Sequence, residues 1–137
     1  MLLDTSALVS LVTAEAGSEV LFDILADASV VRVGTPCLVE AAMVLDGRSA
    51  DWVRGASSGL ALLMARFEIQ TLPFESRHWP VAWAAFLRYG KGRHPAGLNF
   101  GDCLSYGIAK LSGLPLLCVG DDFRQTDLDL VPLPPPP

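Results

Sequence analysis

The chain has 137 residues, 51% of them hydrophobic, and a formal net charge of -5 at pH 7. That length suits one ordinary domain with its own core. No apolar run approaches the roughly 20 residues a membrane helix needs, so the high apolar content points to a subunit or partner interface. The acidic balance argues against gripping nucleic acid through broad positive charge, although carboxylates that hold a cation are partly neutralised by it.

Short apolar runs alternate with helical spacing from the first residue onward. Met1 to Asp4 reads as a strand, Ser6 to Val12 as a helix, and Ser18 to Leu25 as a second helix with apolar residues on one face. The β-branched run Ser29 to Gly34 predicts a strand, after which Thr35 caps a third helix with Pro36 at its first position. That helix runs to about Asp46-Gly47, and another from about Ala50 to Arg66 leads into a strand over Phe67 to Leu72, stopped by Pro73. A helix from about Ser76 to Tyr89 ends at Gly90, and a basic loop follows to Leu98. Asn99 then caps a helix to Ser112-Gly113, and Leu116 to Val119 forms a last buried strand. This alternation predicts an α/β fold, a single domain over 1–131 with a central parallel sheet of about four to five strands flanked by helices on both faces. Residues 132–137 read as an extended proline-rich tail. The N-terminus shows no basic flank, long apolar stretch or cleavage site, so a cytoplasmic location is expected. Cys37, Cys103 and Cys118 make no CxxC pair and sit among apolar residues, which predicts buried reduced thiols.

Acidic residues recur where such elements carry them to one end of the sheet. Asp4 follows the first strand, Glu40 lies within an apolar helix, Asp102 opens the last helix, and Asp121-Asp122 follow the last strand. In open α/β sheets the functional crevice lies beyond the carboxyl ends of the strands. Asp4 and Asp121 each have a competing reading as a helix cap or turn residue, with Thr5 or Ser6 available to cap in place of Asp4. Asp102, three residues after Asn99, also reads as half of a capping box. Glu40 has no such explanation, because its neighbours are Leu38, Val39, Ala41, Ala42 and Met43 and no basic residue stands one turn away. A carboxylate on an apolar helix is costly to bury unless it has a partner or binds metal.

Several carboxylates sharing a pocket repel one another, and a hard divalent cation relieves the repulsion through oxygen ligands. Mg²⁺ is expected, with Mn²⁺ able to replace it, and the matching chemistry is phosphodiester hydrolysis leaving a 5′ phosphate and a 3′ hydroxyl. Removing one carboxylate, as in Asp4→Asn, is expected to raise the stability of the metal-free protein. Ser6, Asn99 and Thr126 are candidates to orient a water or a ligand carboxylate. Arg88, Lys91 and Arg93 form the basic cluster best placed to meet RNA phosphate, with a solvated loop as the alternative. His78 and His94 lie in no metal-binding pattern and receive no role, and Trp79 and Trp83 are expected in a core or an interface.

The segments Met1-Leu2-Leu3-Asp4-Thr5-Ser6, Leu98-Asn99-Phe100-Gly101-Asp102 and Gly120-Asp121-Asp122-Phe123-Arg124, with Glu40 between them, resemble the PIN-domain ribonucleases and, within these, the VapC toxins of bacterial toxin–antitoxin pairs. The resemblance spans nearly the whole chain. It implies a catalytic and metal-binding quartet of Asp4, Glu40, Asp102 and Asp121, with Asp122 or Asp127 as auxiliary ligands. It further implies Mg²⁺-dependent endoribonuclease action on tRNA, rRNA or mRNA, a homodimer, and inhibition by a VapB-type antitoxin whose C-terminal segment fills the active-site groove. The helix after Glu40 is more apolar and less basic than a groove wall of that family would be expected to be. A catalytically inactive binding module and a metal-dependent DNA nuclease are the alternatives. A receiver domain or a haloacid-dehalogenase phosphatase fits poorly, since the latter needs a second Asp where Ser6 stands.

Overall fold

The computed structural model describes residues 1–48 and 56–134. Four strands, β1 (Leu2–Leu3), β2 (Arg32–Gly34), β3 (Gln70–Leu72) and β4 (Leu116–Leu117), form one parallel sheet in the order β3-β2-β1-β4. Six helices accompany them: α1 (Thr5–Thr13), α2 (Ser18–Asp27), α3 (Thr35–Arg48), α4 (Ala56–Arg66), α5 (Trp79–Tyr89) and α6 (Phe100–Ser112). The expected helix start near Ala50 and the last three prolines lie outside the described residues.

Strands of two or three residues make few ladder hydrogen bonds, so burial of both faces must hold them. Leu3 pairs with Val33 and Leu117, and all three point into one core with Leu8, Leu21, Leu25, Leu45, Leu60 and Leu63 from α1 to α4. Leu2 and Leu116 point the other way, into a core with Ala85, Tyr89, Tyr106 and Ile108 from α5 and α6. Adjacent leucines on one short strand thus serve opposite faces, as period-two geometry requires. Each fully buried leucine contributes about 2 kcal/mol. These single residues therefore outweigh the few ladder bonds.

Several boundaries differ from expectation for local reasons. The strand expected from Phe67 begins only at Gln70, because Phe67 and Glu68 form the turn that follows α4. Glu68 takes φ 48° and lets Ile69 N–H reach back to Met64 O at 3.0 Å. Helix α5 starts at Trp79 rather than Ser76, since Glu75 N–H donates to Nδ1 of a buried His78 at 2.8 Å and closes a separate turn. Residues 29–31 stay outside β2, and β4 ends before Cys118.

Candidate active site

Strand β1 lies between β2 and β4, so the connections leaving β1 and β4 depart in opposite directions and open a crevice at their carboxyl ends. Asp4 stands at that point, buried, as the cap of α1. Its Oδ2 accepts from Ser6 N–H at 3.1 Å and from Ser6 Oγ at 2.8 Å, and its Oδ1 accepts from Ser105 Oγ of α6 at 2.8 Å. Neither Thr5 nor Ser6 caps α1 in its place. Capping does not exhaust Asp4, because a carboxylate offers about four acceptor positions. Ser6 Oγ in turn accepts from Val119 N–H at 3.0 Å, tying the exit of β1 to the chain leaving β4. Ser6 thus holds the Asp4 carboxylate through both its N–H and its hydroxyl.

Asp102 opens α6 in a complete capping box, with Asn99 N–H donating to its Oδ2 and its own N–H donating to Asn99 Oδ1, both at 2.9 Å. The cap and site readings of this residue are therefore compatible. Asp102 is 9% exposed. Burial above all, with the charges of Asp4, Asp122 and Glu40, pushes its carboxyl up to about 6 against the lowering effect of Asn99 N–H.

Glu40 reaches the same crevice from α3, half-buried. Burial raises its carboxyl, the Thr5 hydroxyl bond lowers it, and the charge of Asp4 raises it further. The side chain lies over Gly101, where an added Cβ would collide with Glu40 Oε2. Only glycine at the second position of α6 leaves room for that carboxylate.

The loop after β4 divides its two acids. Asp121 is 80% exposed and pairs with Arg124 Nε at 3.0 Å, whereas Asp122 is the one whose charge is felt at Asp102 and Cys118. Asp127 is engaged elsewhere: Tyr106 OH donates to it at 2.5 Å, Lys110 Nζ at 2.9 Å, and Arg88 Nη1 lies 3.6 Å away. The Tyr106 bond first, then Lys110 and Arg88, hold its carboxyl below the usual range. Thr126 Oγ1 donates to Phe123 O at 2.7 Å within its own turn. The structure therefore does not bring Asp127, Thr126 or Arg88 to the acidic crevice. Lys91 and Arg93 are exposed on the loop after α5, with Arg93 lying 5.2 Å from the Phe86 ring.

Among the described residues, no three His, Cys, Asp or Glu side chains are gathered into a ready cation cage. The donor chemistry nevertheless fits a hard divalent ion. The converging groups are carboxylates, and the charges of Asp4, Asp122 and Glu40 all raise the Asp102 carboxyl. The three cysteines are buried free thiols pushed up to about 11, 11 and 12 by burial, so they offer no thiolate.

Apolar surface borders the crevice. One groove of about 570 Å³ is lined by Phe74, Trp79, Trp83, Phe86, Phe100 and Leu104. Another of about 610 Å³ runs along Val39, Met43, Phe100 and Leu104 up to Glu40 and Gly101. Phe100 is 81% exposed, and Trp79 and Trp83 are 60% and 54% exposed, which excludes the core for both tryptophans.

Gly101, Ser105 and Cys37 stand at the crevice without having been marked for it by the sequence. A usable signal existed: Ser105 lies one turn after Asp102 and Cys37 one turn before Glu40, on the same helix faces as those acids.

Residues 1–128 match the family model for the PIN domain. A protein called Ribonuclease VapC from Mycolicibacterium smegmatis is 40% identical over 131 residues, covering 96% of this chain and 99% of that one. Ribonuclease VapC30 of Mycobacterium tuberculosis is also 40% identical, over 98% of this chain and 100% of its own. Among solved structures, the sarcin-ricin-loop-cleaving toxin VapC20 of Mycobacterium tuberculosis superposes with a TM-score of 0.74 at 19% identity, covering 95% of this chain and 97% of that one. VapBC2 of Rickettsia felis, bound to a DNA fragment from its promoter, gives a TM-score of 0.75 at 14% identity, with 95% and 96% covered.

Proposed function

The chain belongs to the PIN-domain family, among relatives named VapC ribonucleases, and from that premise we propose that it is a Mg²⁺-dependent endoribonuclease, the toxin of a type II VapBC pair. Its action is to hydrolyse RNA phosphodiester bonds in tRNA, rRNA or mRNA, and so to stop translation and growth. The observation that carries this reading is the seat of Asp102, a buried carboxyl surrounded by Asp4, Glu40 and Asp122 and raised to about 6 in consequence.

Asp4, Glu40 and Asp102 are the residues we assign to hold Mg²⁺ or Mn²⁺, with Asp122 in preference to Asp121 as the fourth acid. When bound, the cation supplies Lewis acidity at the scissile phosphate and neutralises the developing charge. The protein's own contribution is orientation. Ser6 and Ser105 fix both oxygens of Asp4, the Asn99 backbone fixes Asp102, and Gly101 leaves the space that Glu40 occupies. Lys91 and Arg93 are the exposed cations assigned to RNA phosphate, while Arg88 is committed to Asp127. A VapB-type antitoxin is assigned to the groove along Val39 and Met43, because a segment seated there lies beside Glu40 and would block the crevice. The aromatic groove of α5 is assigned to a homodimer contact. Among the described residues no helix is long and apolar enough to cross a membrane, and a cytoplasmic location accords with an RNA substrate.

The test is a gel assay of the purified, partner-free protein on total cellular RNA with Mg²⁺, Mn²⁺ or EDTA, beside Asp102→Asn. Discrete fragments that require metal and vanish in the variant are expected. Fragments that persist in EDTA or in the variant refute the assignment, and cleavage of DNA but not RNA selects the DNA nuclease instead.

A further inference from the structure

We infer that the Cys37 thiol and the Ser105 hydroxyl form a buried hydrogen-bond chain that positions the Asp4 carboxylate for cation binding. The inference rests on the cation-dependent reading above and extends it to two residues outside the acidic set.

Cys37 lies on α3 and Ser105 on α6, 3% and 2% exposed, with Sγ and Oγ 3.1 Å apart. Ser105 Oγ is in turn 2.8 Å from Asp4 Oδ1. The protons settle the direction of the chain. An ionised carboxylate only accepts, so the single hydroxyl proton of Ser105 goes to Asp4. The serine oxygen must then accept from the thiol, whose proton is held firmly by burial. The order is Cys37 S–H to Ser105 O–H to Asp4, and it joins α3, α6 and the end of β1.

A serine hydroxyl alone can rotate toward other acceptors. With the thiol donating from behind, the proton of Ser105 is left only the direction of Asp4, and bonds in such a chain polarise one another in the same sense. Outer partners of this kind typically change metal affinity about 10- to 100-fold when removed. Ordinary packing of small buried polar groups would instead change stability and leave affinity alone.

The experiment is a calorimetric Mn²⁺ titration of the full chain, partner-free, for wild type, Ser105→Ala, Cys37→Ala, Cys37→Ser and the double alanine variant. Ser105→Ala is expected to weaken Mn²⁺ binding about tenfold or more, with RNA cleavage recovering as Mn²⁺ is raised. Cys37→Ala should weaken it about threefold, and Cys37→Ser, which restores an O–H donor, should stay within about twofold of wild type. The double variant should bind no worse than Ser105→Ala, since the thiol acts only through the serine. Affinity unchanged in Ser105→Ala, or losses that multiply independently in the double variant, overturn the inference. If the wild type takes up no Mn²⁺, the cation reading fails. The crystal structure of metal-free Ser105→Ala then decides positioning by itself: a displaced Asp4 carboxylate upholds it and an unmoved one overturns it.

Discussion

Asp102→Asn should stabilise the metal-free protein while abolishing cleavage. The native carboxyl titrates at about 6 against an ordinary 3.8. Because the folded value is the higher one, the ionised group opposes folding: its contribution is fully favourable below pH 3.8 and is lost as the pH rises through about 6. That difference between the folded and unfolded carboxyl corresponds to roughly 3 kcal/mol at neutral pH. Asparagine keeps an oxygen to accept from Asn99 N–H but gives up the charge at the start of α6, which costs about 0.5 to 1 kcal/mol. A net gain of about 2 kcal/mol remains, or roughly 6 to 10 °C in melting temperature for a domain of this size. Thermal melts in EDTA across about pH 4 to 8 should show little gain at the acid end, a rise up to about pH 6.5, and a plateau above. Saturating Mn²⁺ should reverse the order, because wild type alone gains binding energy, about 2.7 kcal/mol at a hundred times Kd. A variant less stable than wild type in EDTA above neutral pH, or a gain that does not change with pH, refutes the electrostatic account.

Asp4→Asn should behave oppositely. Ser6 N–H, Ser6 O–H and Ser105 O–H all donate to Asp4, so an amide N–H₂ either meets the Ser6 N–H or makes Ser105 turn its proton away and accept, and melts in EDTA should show a loss of about 1 to 3 kcal/mol. Gly101→Ala should separate stability from activity. Only the far end of Glu40 stands in the way of the new Cβ, so the melting temperature should hold or rise by the roughly 0.5 to 1 kcal/mol typical of Gly→Ala in a helix, while cleavage falls about tenfold or more. Assayed in parallel, Asp122→Asn should lose most RNA cleavage and Asp121→Asn little, and equal losses would reject the choice between them. Tyr106→Phe should lower stability by about 1 kcal/mol in denaturant melts and leave Mn²⁺ affinity unchanged, since its partner Asp127 lies outside the crevice.

The candidate acids stood out in the chain by their positions in the predicted elements. Glu40 interrupts an apolar helix face, and Asp4 and the Asp121-Asp122 pair end apolar runs too short to be anything but buried strands. The parallel sheet covered on both faces followed from the same alternation, as did the burial of the three thiols. Counting repulsive charges alone predicts stabilisation by Asp4→Asn, whereas the three donors that fold against Asp4 predict the loss given above, and the melts in EDTA decide between the two. Asp102, with its backbone donor and three acidic neighbours, bears the repulsion instead.

Periodicity and composition determined which elements form and which residues end them, since both depend on interactions within a few positions along the chain. What they left undecided were the directions of side chains in long loops and the meetings of residues far apart in sequence. Asp121 and Asp122 are equivalent in the linear text, and only the turn after β4 sends one to Arg124 and places the other's charge against Asp102. Asp127 looked like one more acid of the last loop until α5 and α6 supplied Arg88, Tyr106 and Lys110 around it. Ser105 stands 101 positions from Asp4 and Cys37 stands 68 from Ser105, yet they form one hydrogen-bonded chain. Such contacts arise only when packing of α3 and α6 closes the long loops between them, and no local propensity encodes that closure.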